Sequence, residues 1–200
     1  MRTGWLAKTG RSYAWMIGLA HAVMIGLSPR EEPEIATGLV VAALGPLSWS
    51  AGAVAWGAAR DLEADEQANG ISAIAEARGA TPREQQLGRL VSTIRVVIST
   101  ILSPALLLLV LAAFRTSSAR TALASAPIAA GVVGYSLVLG AVLGALSRAS
   151  ARAAPRYGRT LFALIVIGPL ALGSALRGAP SVIGGLSWLL ERISRLVGVG

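Results

Sequence analysis

Three long apolar runs, 35–59, 90–114 and 124–147, decide what this chain can fold into. A helix needs roughly 20 mainly apolar residues to cross about 30 Å of hydrocarbon, and each of these runs has that length. Shorter runs at 12–28, 159–177 and 180–197 bring the expected spans to six. The last, "SVIGGLSWLLERISRLV", turns amphipathic after Leu190, so it either spans or lies along the interface. Only 14% of residues are charged, against about 25% in a soluble domain. The expectation is an all-α integral membrane protein, with residues 1–200 forming a single transmembrane domain.

Arg2, Lys8 and Arg11 precede the first run, as they would in a secretory leader. The run ends in "GLSPREEPE", which offers no small-x-small cleavage site, so a retained helix is expected.

A net charge of +8 raises the question of nucleic acid, but the basic residues lie between apolar runs rather than in one stripe. With the N-terminus inside, one side of the membrane receives Arg2, Lys8, Arg11, Arg60, Arg78, Arg83, Arg89, Arg148, Arg152, Arg156, Arg159, Arg192 and Arg195. The other receives Arg30, Arg115, Arg120 and Arg177. The positive-inside rule then puts both termini and the 60–89 segment in the cytoplasm. A multi-pass protein of a bacterial inner membrane is expected, with the lipid bilayer as a partner and no nucleic acid.

The chain has no cysteine, which removes disulfides, thiolate metal sites and a cysteine nucleophile. Its only lysine, Lys8 in "WLAKTGRS", has its glycine on the wrong side for a G-x-x-x-x-G-K-[ST] phosphate loop. His21, the sole histidine, has no partner ligands for a metal site. A packed histidine, hydrogen-bonded within the bundle, is the plainer reading; an axial haem ligand is the functional one. Arg95 lies inside the third run, where a charge is costly and often functional. Near the end of a span it can also snorkel to the interface. His21 and Arg95 are thus the two residues with a pathway or gating reading. Gly140 and Gly144 form a G-x-x-x-G pair suited to close helix packing, within one subunit or across a dimer seam. Pro46, Pro104 and Pro169 fall inside spans, where proline kinks a helix.

The polar segment 60–89 reads "RDLEADEQANGISAIAEARGATPREQQLGR" and cannot span a bilayer. Its Ala-rich stretch 71–78 favours a short helix, ended by Gly79. Thr81 is then placed to cap a new helix, with Pro82 at its first position and Glu84 at its third, a capping box. The third span is therefore expected to start at Pro82, two turns below the membrane, forming a helix-break-helix elbow.

This stretch resembles the cytoplasmic loop between the second and third spans of permease subunits of ABC exporters of the second class. Laid on that pattern without gaps, the family glycine falls on Gly70. Its Ser-Arg-Arg-Glu falls on Thr81, Pro82, Arg83 and Glu84, and its Leu-Gly-Lys on Leu87, Gly88 and Arg89. The family Thr-Leu-Glu is replaced by Ile71, Ser72 and Ala73, and the family proline by Gly79. The stretch "EIATGLVVAALGPLSWSAGAVAWGAARD" is similar to the haem-exporter B-type branch. The resemblance implies that the short helix is a coupling helix seated in a separate ATPase subunit, through Gly70, Ile71, Ile74, Ala75, Arg78, Gly79, Thr81, Arg83 and Glu84. It implies a second copy or a homologous permease as partner. ATP and Mg²⁺ then belong to the ATPase, and this chain has no catalytic residue, cofactor or metal of its own. The scarcity of charges deep in the spans fits a lipid-like or amphipathic cargo.

Two other readings stand beside it. Asp61 and Asp65 resemble part of the Mg²⁺-diphosphate motif of membrane prenyltransferases, with Gly57 where those enzymes have asparagine and with no third aspartate. A carboxylate pair at a helix start is the plain account of the same residues. The third reading is a non-catalytic membrane assembly partner.

Overall fold

A computed structural model of the chain describes residues 5–29, 32–59, 70–115, 126–168 and 195. Among these residues there are six helices: α1 (Trp5–Leu27), α2 (Pro33–Ala58), α3 (Ile71–Ala77), α4 (Pro82–Arg115), α5 (Ala126–Ala153) and α6 (Gly158–Val166). The fold is all-α.

Helix α2 is the centre of the bundle and packs against α1, α4, α5 and α6. Its small and β-branched residues allow this. Ala36, Val40, Ala43, Leu47, Val54 and Ala55 are all buried, at the three- and four-residue spacing that aligns one helical face. Where helices approach most closely, glycine makes room. A Cβ on Gly10 of α1 would lie 2.8 Å from Val54 Cγ2, and one on Gly18 would lie 2.9 Å from Pro104 Cβ. The G-x-x-x-G pair of α5 is used inside the chain. Cβ atoms on Gly140 and Gly144 would stand 2.9 Å from the Cα atoms of Ile98 and Ile94 of α4. The two contacts run in opposite chain directions, so α4 and α5 are antiparallel.

Large apolar side chains also cover the outside. Met16, Leu19 and Val23 of α1, Leu106, Val110 and Phe114 of α4, and Leu137, Val138 and Val142 of α5 are exposed. In water such a belt would be an aggregation hazard; in hydrocarbon it faces its solvent. Hydroxyls inside the bundle bond back to the preceding turn, as in Thr93 to Arg89 O, Thr100 to Val96 O and Ser136 to Val132 O. That leaves no hydroxyl of the three to be solvated by lipid. Among the described residues, three helices are long and apolar enough to cross a membrane: Glu34–Ala58, Pro82–Arg115 and Ala126–Ala153. These three candidate membrane-spanning helices suggest a membrane protein.

They correspond to the second, third and fourth expected spans, with shifted ends. Helix α5 runs six residues past the expected end at 147, to Ala153, because nothing breaks it before Pro155 restricts the residue ahead of it. Helix α1 forms but is not among the three. It starts early enough to include Lys8 and Arg11, and its apolar part from Ser12 to Leu27 rises only about 24 Å. Of the run 159–177, only the part up to residue 168 is described. The run 180–197, Pro169, Asp61 and Asp65 lie outside the described residues, apart from helical Arg195. Helices α2 and α4 run through Pro46 and Pro104 as single helices.

The charges are segregated by end. The last turn of α2, the first turns of α4 and α6, and the end of α5 lie together. Arg152 of α5 donates to Gln86 of α4, and Trp56 of α2 donates to Arg159 O of α6 at 3.1 Å. This end holds Arg83, Arg89, Arg148, Arg152, Arg156 and Arg159, and the elbow adds Arg78. At the far end, Arg115 donates to Ile25 O at 3.2 Å, near the acidic start of α2 at Glu32 and Glu34.

Candidate functional site

The elbow expected at 70–89 is present, and its geometry follows from its sequence. Gly70 opens α3 in the left-handed region at φ 69°, a conformation that strains any residue with a Cβ. The helix closes on Gly79 at φ 81°. There Gly79 N–H donates to Glu76 O at 2.8 Å and Ala80 N–H to Ala75 O at 3.0 Å, the two bonds of a Schellman stop. One residue on, Thr81 starts α4. Its backbone N–H and hydroxyl donate to Glu84 Oε2 at 2.7 and 2.8 Å, while Glu84 N–H donates to Thr81 Oγ1 at 3.3 Å. The Thr81 backbone bond, and then its hydroxyl, hold the Glu84 carboxyl below its ordinary value. Two helices are thus locked end to end with one residue, Ala80, between the stop and the cap.

Helix α3 has no buried residue. Ile71 is 38% and Ile74 57% exposed. With Ala75 and Arg78 they follow the i, i+3, i+4, i+7 spacing of one face. Leu87 and Val91 of α4 are also exposed, so apolar groups continue beyond the elbow. Arg78 and Arg83 are exposed beside them.

The two residues with a pathway reading are not brought together. His21 is half-buried, and its Nδ1 lies 2.9 Å from Ile17 O in its own helix, as a packed histidine would. Arg95 is exposed on α4. One turn along, Arg11 of α1 donates to Ser99 at 3.4 Å, so the two arginines share the α1–α4 side. Among the described residues, no group of three His, Asp or Glu is placed to hold a metal ion.

Sequence reasoning missed a second feature. An apolar groove of about 490 Å³ runs between α2 and α6, floored by Tyr135, Leu139 and Leu143 of α5. Its walls include Gly45, Trp49, Gly52 and Trp56 of α2, and Phe162 and Val166 of α6. At its base Ser48 Oγ donates to Leu44 O, so the Tyr135 hydroxyl, 2.7 Å away, donates to Ser48. The signal was the seven-residue recurrence of Gly45 with Gly52 and of Trp49 with Trp56, which puts small and large residues on one unfilled face.

Comparison of the chain with protein-family models, curated proteins and solved structures finds no match in any of the three.

Proposed function

We propose that this chain is the membrane-embedded permease subunit of an ABC exporter. It works with a separate ATPase that binds ATP and Mg²⁺, and with a second copy of itself or a homologous permease. The observation that carries the reading is the elbow. A short helix with an uncovered apolar face is joined, through a Schellman stop and a capping box, to a 34-residue helix. That helix is about 51 Å long at 1.5 Å per residue, more than a bilayer core requires. A push on α3 would reach the bilayer through a continuous rod rather than a slack loop.

In this reading the basic end faces the cytoplasm, the chain has six spans, and both termini are inside a bacterial inner membrane. Ile71, Ile74 and Ala75 seat in the ATPase, with Gly70, Arg78, Gly79, Thr81, Arg83 and Glu84 shaping the elbow and its polar edge. The apolar interior supports a lipid-like or amphipathic cargo.

The test is co-purification of the chain with an ATPase subunit from its own membrane. Ile74→Asp puts a charge on the docking face and should abolish the association while the permease still folds. Full retention of the ATPase by Ile74→Asp would overturn the coupling role.

A further inference from the structure

We propose that the groove between α2, α5 and α6 is a binding site for an anionic phospholipid, with an acyl chain in the groove and the phosphate at Arg159. This inference does not rest on the permease reading.

The apolar part of the argument is shape. From Gly45 to Trp56 the α2 wall rises about 17 Å along the helix axis. The groove is therefore long, runs parallel to a spanning helix, and is edged by the exposed Trp49 and Trp56. Its hydroxyls at Ser48 and Tyr135 satisfy each other, so nothing within it calls for a polar ligand. An extended hydrocarbon chain fits this lining; a soluble polar ligand does not.

The polar part lies at the basic end, where the groove stops. Arg159 stands with its guanidinium carbon 5.7 Å from the Trp56 ring and donates to Gly57 O at 3.5 Å. Its Nε is buried with no acceptor among the described residues. Phe162, one turn along α6, lines the groove, so the chain and charge sites adjoin. Arg152 and Arg156 are exposed nearby. From Gln85 to Leu190 the sequence contains no Asp or Glu, so this stretch brings no carboxylate of its own to its arginines. A phosphodiester at the membrane surface is an anion that the Arg159 Nε, which has no acceptor among the described residues, and its neighbouring arginines can bind. Basic pockets between spanning helices select anionic headgroups.

The test is lipid retention by the purified full chain, read by native mass spectrometry after equilibration with equal phosphatidylglycerol and phosphatidylcholine. Preferential retention of one phosphatidylglycerol is expected. Arg159→Gln should reduce that preference about fivefold, while Arg83→Gln at the elbow should leave it unchanged. Gly52→Leu should lower retention of both lipids, because a Cβ at Gly52 meets nothing within 4 Å among the described residues. The side chain therefore fills the groove without disturbing the fold. Equal retention of the two lipids would overturn the proposal, as would equal losses from Arg159→Gln and Arg83→Gln. Displacement of phosphatidylglycerol by inorganic phosphate alone would reduce the site to a phosphate site and overturn the lipid assignment. Retention unaffected by Gly52→Leu would place the lipid outside the groove and overturn the proposal.

Discussion

The Glu84 carboxylate accepts both the backbone N–H and the hydroxyl of Thr81, at 2.7 and 2.8 Å, and so fixes where α4 begins. Both bonds favour the ionised acid and lower its pKa from the ordinary 4.5. A lowered carboxylate stabilises the fold fully above the ordinary value and loses that contribution as pH falls through the lower, folded value. Protection of the amides at 83–86 against hydrogen exchange, corrected for intrinsic rates, should be flat above pH 4.5 and fall only below it. Thr81→Ala should open this turn about fivefold more often. It should move the Glu84 titration, followed by carboxyl carbon NMR, only part of the way back, because alanine keeps the backbone N–H that lowers it most. An unmoved titration in that variant would show that the Thr81 hydroxyl contributes nothing and that the backbone N–H alone lowers it.

The α4–α5 crossing depends on two glycines. Gly144→Leu must push against Ile94 Cα, which already stands 2.9 Å from where the Cβ would be. Overpacking of this kind costs about 1–3 kcal/mol, so the variant should unfold at lower temperature in detergent, and Gly140→Leu likewise at Ile98. Gly134→Ala is the control: its Cβ would meet nothing within 4 Å among the described residues. It should be neutral or gain up to about 1 kcal/mol from helix propensity.

Much of this was legible in the chain because the relevant physics is local. Gly79, Thr81, Pro82 and Glu84 lie within six positions, and their caps need no other element. The runs behind α2, α4 and α5 are long enough to name themselves. Helix α1 was harder, since Lys8 and Arg11 join the helix rather than preceding it, and composition alone does not say where a helix starts. The groove was invisible for a different reason. Arg159 meets Trp56, more than 100 positions away, and only the packing of α6 on α2 brings them together. The same holds for Gly140 with Ile98: spacing marked the glycine pair, but the partner helix came from the fold.

At the groove base the hydroxyl chain has a direction, Tyr135 to Ser48 to Leu44 O. Tyr135→Phe removes one donor and leaves Ser48 bonded to the backbone, which should cost about 1 kcal/mol. Ser48→Ala instead leaves the hydroxyl of Tyr135, 1% exposed, with no acceptor. That should cost about 1–3 kcal/mol, more than Tyr135→Phe. Thermal unfolding of both variants in one detergent checks the order; a costlier Tyr135→Phe would mean the chain runs the other way.

The orientation can be read directly because the chain contains no cysteine, so any single introduced thiol reports alone. Arg78 lies on the exposed elbow at the basic end, and Glu32 is exposed at the opposite end. By the positive-inside rule the first is expected in the cytoplasm. Arg78→Cys should therefore react with a membrane-impermeant maleimide only in inside-out vesicles, and Glu32→Cys in intact cells. Neither site is packed against the bundle, so neither substitution should affect folding. The reverse labelling pattern would put the elbow outside the cell, beyond the reach of any ATP-driven partner, and would end the permease reading with it.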